Sequence, residues 1–234
     1  MPLSSVTRFP GGANNLGVGD VMADLKMGHP GFYTDYDTDF ITLIAGDWAS
    51  AGTGTAAAVV ANADGGVIAI VSATAAEESF ALNNKAVTPA LNRDLYFSAI
   101  IQQTGTDATA AAFVAGLTVA ATTPIATPPT DGIYIRKAAA STQVVGVLRI
   151  GGADIATVNM GQWALNTWTE VGFVYTAANG ILNAFMGGGS YRLATSPAAF
   201  PAAGLGPNFS IGPGASGAAQ TLQIDHVMFG KGKR

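Results

Sequence analysis

The chain has 234 residues, of which 49% are hydrophobic and only 11% charged, with a formal net charge of −4, a pI near 4.9 and no cysteine. Disulfides, thiolate catalysis and the usual zinc clusters are excluded, and no basic field exists to attract a phosphate backbone, so nucleic acid is not an expected partner. Soluble domains typically carry about 25% charged residues, so this surface must be built largely from Ala, Gly, Thr, Ser and Asn, which lose little on desolvation and suit permanent assembly.

The start, MPLSSVTRFPGG, lacks a basic segment followed by an apolar one. No apolar run approaches the length of about 18 that spans a bilayer, so neither a signal peptide nor a membrane is expected. Residues 1–31 gather turn signals at Pro2, Pro10-Gly11-Gly12, Gly17-Val18-Gly19 and Gly28-His29-Pro30-Gly31, with room for a short helical turn at 20–27. They read as an N-terminal arm. Val6, Phe9, Leu16 and Val18 make that arm too apolar for a free tail, so it should lie against its own domain or a neighbour.

Residues 32–234 read as a single β-sandwich domain, since all-β domains of this size commonly stay whole. Short apolar segments between turn signals predict strands near 33–44, 55–61, 66–73, 78–83, 94–104, 110–119, 131–137, 143–150, 153–159, 168–177, 180–187, 190–195, 207–212 and 220–229. Asp64-Gly65-Gly66, Gly151-Gly152 and Asn179-Gly180 suit hairpin turns. Thr122 to Thr130, with three prolines, cannot add to a ladder and reads as a stiff exposed loop; Ser196 to Gly217 reads as a second long excursion with at most one short strand. The clearest local signal is WTEVGFVYTAANGILNAFMGGG from Trp168. Val171, Phe173 and Tyr175 share one strand face, Leu182, Ala184 and Met186 share the matching face of the return strand, and Asn-Gly tolerates positive φ between them.

A Trp-led strand, a tight turn and a return strand ending in glycine resemble a hairpin of concanavalin A-like and laminin-G-like β-sandwiches. The order of weaker motifs also resembles a group of structural proteins from short-tailed bacteriophages, especially those of cyanobacteria. These are Thr7-Arg8-Phe9-Pro10-Gly11-Gly12, Tyr33-Thr34-Asp35-Tyr36-Asp37, Gly46-Asp47-Trp48, the Gly-Thr-Gly-Thr run from Gly52, and Glu77-Glu78-Ser79-Phe80-Ala81-Leu82. Leu95-Tyr96-Phe97-Ser98-Ala99, Phe113-Val114-Ala115-Gly116-Leu117 and Asp131-Gly132-Ile133-Tyr134-Ile135-Arg136-Lys137 follow. Leu222-Gln223-Ile224-Asp225-His226-Val227 resembles the closing strand that pairs beside the opening one. Tyr36 and Thr38 depart from the group's more usual phenylalanine and acidic or serine residues. The resemblance implies a jelly-roll or concanavalin A-like sandwich that acts as a capsid decoration, or cement, protein. On that reading the chain is a virion component on the outer capsid surface, a homotrimer, with the major capsid protein as partner and Arg8, Phe9 and Pro10 in contact with capsid or a sibling subunit.

No catalytic, cofactor or metal residue is assigned. Asp35, Asp37 and Asp39 alternate on one strand as a retaining glycosidase or a Ca²⁺ site requires, but the two-glutamate glucanase pattern is absent and charge at a sheet edge also blocks unwanted pairing. Glu77 and Glu78 are adjacent and should point to opposite faces. His29 and His226 are isolated, which disfavours zinc and a triad. Gly52 to Ala57 fits a loose dinucleotide fingerprint without a βαβ unit, and Asn208-Phe209-Ser210 is a sequon without a secretory route. Lys231, Lys233 and Arg234 form a small basic end. The alternative to decoration is a glycan-binding adhesin on the virion using Thr122 to Thr130 or Trp163, the tryptophan expected to be exposed, with Trp48 and Trp168 expected in the core.

Overall fold

The computed structural model describes residues 33–38, 40, 47–60, 66–82, 85–105, 109, 111–213 and 218–232. Strands account for its regular structure, and no α-helix occurs among these residues. The strands are β1 (Tyr33–Thr38), β2 (Trp48–Gly52), β3 (Thr55–Val59), β4 (Ile68–Val71), β5 (Glu78–Leu82), β6 (Leu95–Thr104), β7 (Phe113–Thr118) and β8 (Gly132–Lys137). They continue with β9 (Gln143–Ile150), β10 (Ala153–Gln162), β11 (Thr169–Thr176), β12 (Ile181–Met186), β13 (Gly189–Thr195), β14 (Gly206–Ile211) and β15 (Thr221–Gly232).

Two antiparallel sheets result. The eight-stranded sheet has the order β13-β12-β11-β6-β15-β4-β3 with β1 also on β15, and the seven-stranded sheet has the order β10-β9-β8-β7-β14-β5-β2. The length of β15 makes the first arrangement possible. One side of it pairs β6, while on the other residues 221–224 pair β4 and residues 227–232 pair β1. The closing strand therefore lies beside the opening one, as the motif order implies.

Period-two alternation sends one face of each sheet into a shared core. Val171, Phe173 and Tyr175 of β11 and Leu182 and Ala184 of β12 are buried there, with Met186 packed at its margin. Phe97 of β6 stacks on Phe173 at 5.6 Å and reaches Phe209 of the opposite sheet at 6.1 Å. The β11–β12 turn differs in detail from the expectation: Thr176 pairs Ile181, the connection has four residues, and only Gly180 takes a positive φ, +66°, donating its N–H to the Thr176 carbonyl at 2.9 Å. Gly151-Gly152 is the two-residue turn, at φ +58° and +83° between the paired Ile150 and Ala153.

Strand β2 is absent from the sequence expectation. The excursion from Ser196 does carry one strand, but β14 is central, paired with β7 and β5. The expected Arg8, Phe9 and Pro10 contacts, the helical turn at 20–27, Asp39 and the Asp64-Gly65 part of its turn lie outside the described residues. Asp35 and Asp37 stand on β1 opposite Gly230 and Met228, and their side chains also lie outside what is described.

Candidate functional site

On the seven-stranded sheet the parity that does not enter the core builds a second, smaller apolar cluster of Val114, Tyr134 and Val147, with Ile125 and Val145 against it. Strand register places these residues in rows across the outer face. One row runs Asn208, Gly116, Tyr134, Val147, Thr157; the next runs Ser210, Val114, Arg136, Val145, Asn159; a third includes Thr118, Gly132, Arg149 and Asp154. Gly116 is required at its place, because a Cβ there would stand 2.6 Å from Tyr134 Cβ and from the Ile133 carbonyl oxygen.

The proline loop lies against this face, with Ile125 packed on its apolar cluster. Buried Glu77 holds it, accepting the N–H groups of Ile125 at 2.8 Å and Ala126 at 3.0 Å and the Ser210 hydroxyl at 2.9 Å. Ser79 Oγ donates to the Thr122 carbonyl at 3.0 Å, and Asn208 Nδ2 donates to the Ala121 carbonyl at 3.0 Å. The loop is thus a fixed cover, with Pro124 and Pro129 buried, rather than a wholly exposed excursion. The adjacent Glu78 turns the other way and accepts the Gly54 N–H at 2.9 Å, as strand parity requires.

Between this cover and the strands lies a cavity of about 380 Å³, walled by Val114, Pro124, Ile125, Pro128 and Tyr134 and rimmed by Arg136, Ala138 and Ala139. Arg136 Nη2 donates to Asp154 Oδ2 at 3.0 Å, and Arg149 pairs with the other oxygen of the same carboxylate. Two guanidiniums sharing one carboxylate leave a local net charge of +1 on an acidic protein. Tyr134 is 1% exposed, and its hydroxyl meets no hydrogen-bond partner of good geometry among the described residues. Burial holds its phenol above the ordinary tyrosine range and the Asp154 carboxylate adds to that, while Arg136 and Arg149 pull the other way. Thr118 Oγ1 and Asn208 Oδ1, on the same face, are also buried without a partner among the described residues.

The tryptophans correct the sequence expectation in opposite directions. Trp163, expected to be exposed, is 3% exposed and packs edge-on against Phe113 at 4.8 Å, because the chain turns into the sandwich end after β10, where the Trp163 backbone N–H donates to the Thr142 carbonyl at 2.8 Å. Trp168, expected in the core, is 42% exposed: with Val171, Phe173 and Tyr175 inward, even-numbered positions face out. Trp48 is buried as expected.

Several carboxylates that sequence alone leaves free for acid–base chemistry are occupied. Besides Glu77, Glu78 and Asp154, Asp94 accepts the Ala177 N–H at 2.8 Å, Asp131 accepts the Gly151 N–H at 3.1 Å, and Glu170 accepts the Ser98 hydroxyl at 2.8 Å.

No family model matches the chain, and neither does any curated protein. Solved structures do. The carbohydrate recognition domain of Emp47p matches 85% of this chain and 96% of its own length at 13% identity and a TM-score of 0.63. A protein of unknown function from Shewanella oneidensis MR-1 matches 94% of this chain and 97% of its own at 16% identity and a TM-score of 0.59. Peanut lectin matches 86% and 97% at 12% identity and a TM-score of 0.59. The fold is thus a lectin-like, concanavalin A-like antiparallel β-sandwich. A glycosidic hydrolase shares it as well, so the fold alone decides neither binding nor catalysis.

Proposed function

We propose that this chain is a non-enzymatic structural protein of a short-tailed bacteriophage virion, a homotrimer that binds the outer capsid surface and stabilises the head. The observation that carries the reading is the chemistry of two edge strands. β3 and β10 are largely exposed and hold a single charge between them, Asp154, which two arginines neutralise. Val59 at 43% and Ile155 at 57% stand out from them as exposed apolar side chains. Native proteins blunt such edges with charged side chains, proline or bulges, and neither strand carries a lysine or a proline. Here β-bulges between Thr55 and Ala58, Asp154 and Ala156, and Asn159 and Gly161 interrupt the ladders instead. Bulges discourage indiscriminate strand addition while leaving an uncharged surface that docks at low desolvation cost. Each contact repeated by capsid symmetry then adds buried area to the shell.

The occupied carboxylates support the non-enzymatic part of this reading, and no cofactor is invoked. A second reading, a glycan-binding adhesin on the virion, draws on the exposed ring of Trp168, which is free to stack on a sugar face. Sedimentation of purified chain with emptied capsid shells stripped of it separates the two. Decoration predicts saturable pelleting at a stoichiometry near one chain per capsid subunit, abolished in neither Trp168→Ala nor excess oligosaccharide. Failure to pellet, together with glycan binding lost in Trp168→Ala, would replace decoration with the adhesin.

A further inference from the structure

The cavity under the proline loop has more construction than a packing defect. Both rims are fixed from beneath: Glu77 ties down the loop at Ile125 and Ala126, and buried Lys137 ties down the opposite turn through the carbonyls of Ala111 and Ser141. Ala140 in that turn holds φ at +58°, a left-handed conformation that strains a non-glycine residue, and its N–H joins the Thr109 carbonyl at 2.9 Å. The cavity walls are branched aliphatics, prolines and the Tyr134 ring; two cationic side chains line it, buried Lys137, whose ammonium is taken up by the Ala111 and Ser141 carbonyls, and Arg136 at the more exposed rim, whose carboxylate partner is shared with Arg149.

We propose that this cavity is an anchor site for a partner protein, receiving one large apolar side chain flanked by a carboxylate. The inference deepens the docking reading and, for the identity of the partner, rests on it. About 380 Å³ accommodates an aromatic side chain, and buried aromatic anchors in rigid pockets dominate interface energetics. Pinned rims mean that little order is lost on binding. The surplus positive charge at Arg136 selects an acidic neighbour over a neutral one.

The test uses the full chain and two blocked dipeptides, N-acetyl-Phe-Asp-amide and N-acetyl-Phe-Asn-amide, followed by methyl and amide NMR. The expected result is saturable shifts centred on Val114, Ile125 and Ala139, with the acidic peptide preferred about three- to fivefold, the scale of one exposed ion pair. Arg136→Gln removes the preference but not binding. Ala139→Trp, a change at the exposed rim that fills the mouth, abolishes both. Shifts elsewhere, equal affinity for the two peptides, or unaltered binding to Ala139→Trp would overturn the assignment. Capsid shells separate this inference from the docking reading. If Ala139→Trp pellets as well as the unaltered chain, the anchor role fails and decoration stands. If the unaltered chain takes up the acidic peptide yet never pellets, the cavity's chemistry stands and the capsid falls as its partner.

Discussion

Replacing Trp48 with alanine is expected to lower stability by about 3–5 kcal/mol, the range for deleting a large aromatic side chain from a core that relaxes only partly. Trp48 opens β2, which is bonded to the seven-stranded sheet only through β5. Its indole stacks on Phe80 at 4.6 Å and 14°, meets the edge of Phe40 at 5.3 Å, and reaches Phe209 at 6.3 Å. Its Nε1 donates to Tyr36 Oη at 2.9 Å, joining the edge of one sheet to β1 of the other. Burial lifts the Tyr36 phenol above its ordinary range, and this hydrogen bond pulls it back. Trp48→Phe keeps the stack and loses the hydrogen bond, so its cost should be about 1–2 kcal/mol. Urea unfolding of the three proteins checks the series. A loss below about 1 kcal/mol for Trp48→Ala would mean that this ring cluster does not hold β2 to the sandwich.

Replacing Glu77 with alanine is expected to cost about 2–4 kcal/mol and to release the proline loop. Three donors converge on the buried carboxylate, and each buried donor left without an acceptor costs about 1–3 kcal/mol, less what water recovers as the loop lifts. Glu77→Gln retains one acceptor oxygen and should lose roughly half as much. Ser210→Ala removes one donor without freeing the loop, so it should cost about 1 kcal/mol or less. Denaturant unfolding gives the energies, and limited proteolysis between residues 120 and 130 reports the loop. Unchanged protection of that segment in Glu77→Ala would show that the loop is held by something other than this carboxylate.

How far the sequence carries the fold depends on whether side-chain chemistry marks the parity of each strand. In β11, Val171, Phe173 and Tyr175 declare the inward face, and β12 answers with Leu182 and Ala184, so the hairpin is legible from residues alone. β2 is not, because WASAG has one large apolar residue followed by small ones, and its strand identity comes from pairing with β5 rather than from its own pattern. Trp168 is expected in the core from its place at the head of a core strand, yet the parity that sends Val171 inward sends residue 168 outward. Trp163 follows the end of β10, where strand alternation no longer speaks, and its burial comes from Phe113, fifty positions earlier.

The site is less legible than the fold for the same physical reason. Parity alone turns Glu77 and Glu78 to opposite faces, but nothing near Glu77 announces that its acceptors lie at Ile125, Ala126 and Ser210. Tyr134, Arg136 and Lys137 stand close together on β8, but nothing in that segment says that the first two form a wall and a rim while buried Lys137 reaches the Ala111 and Ser141 carbonyls. The long-range Glu77 contact with the proline loop and the Lys137 contacts with the Ala111 and Ser141 carbonyls hold the two sides of the cavity, and neither has a local signature.

Quantitative mass spectrometry of gradient-purified virions tests the proposed decoration role most directly, by measuring the copy number of this chain against that of the major capsid protein. Lattice decoration predicts a number within a few-fold of the capsid protein; a handful of copies per particle, or none, would contradict it.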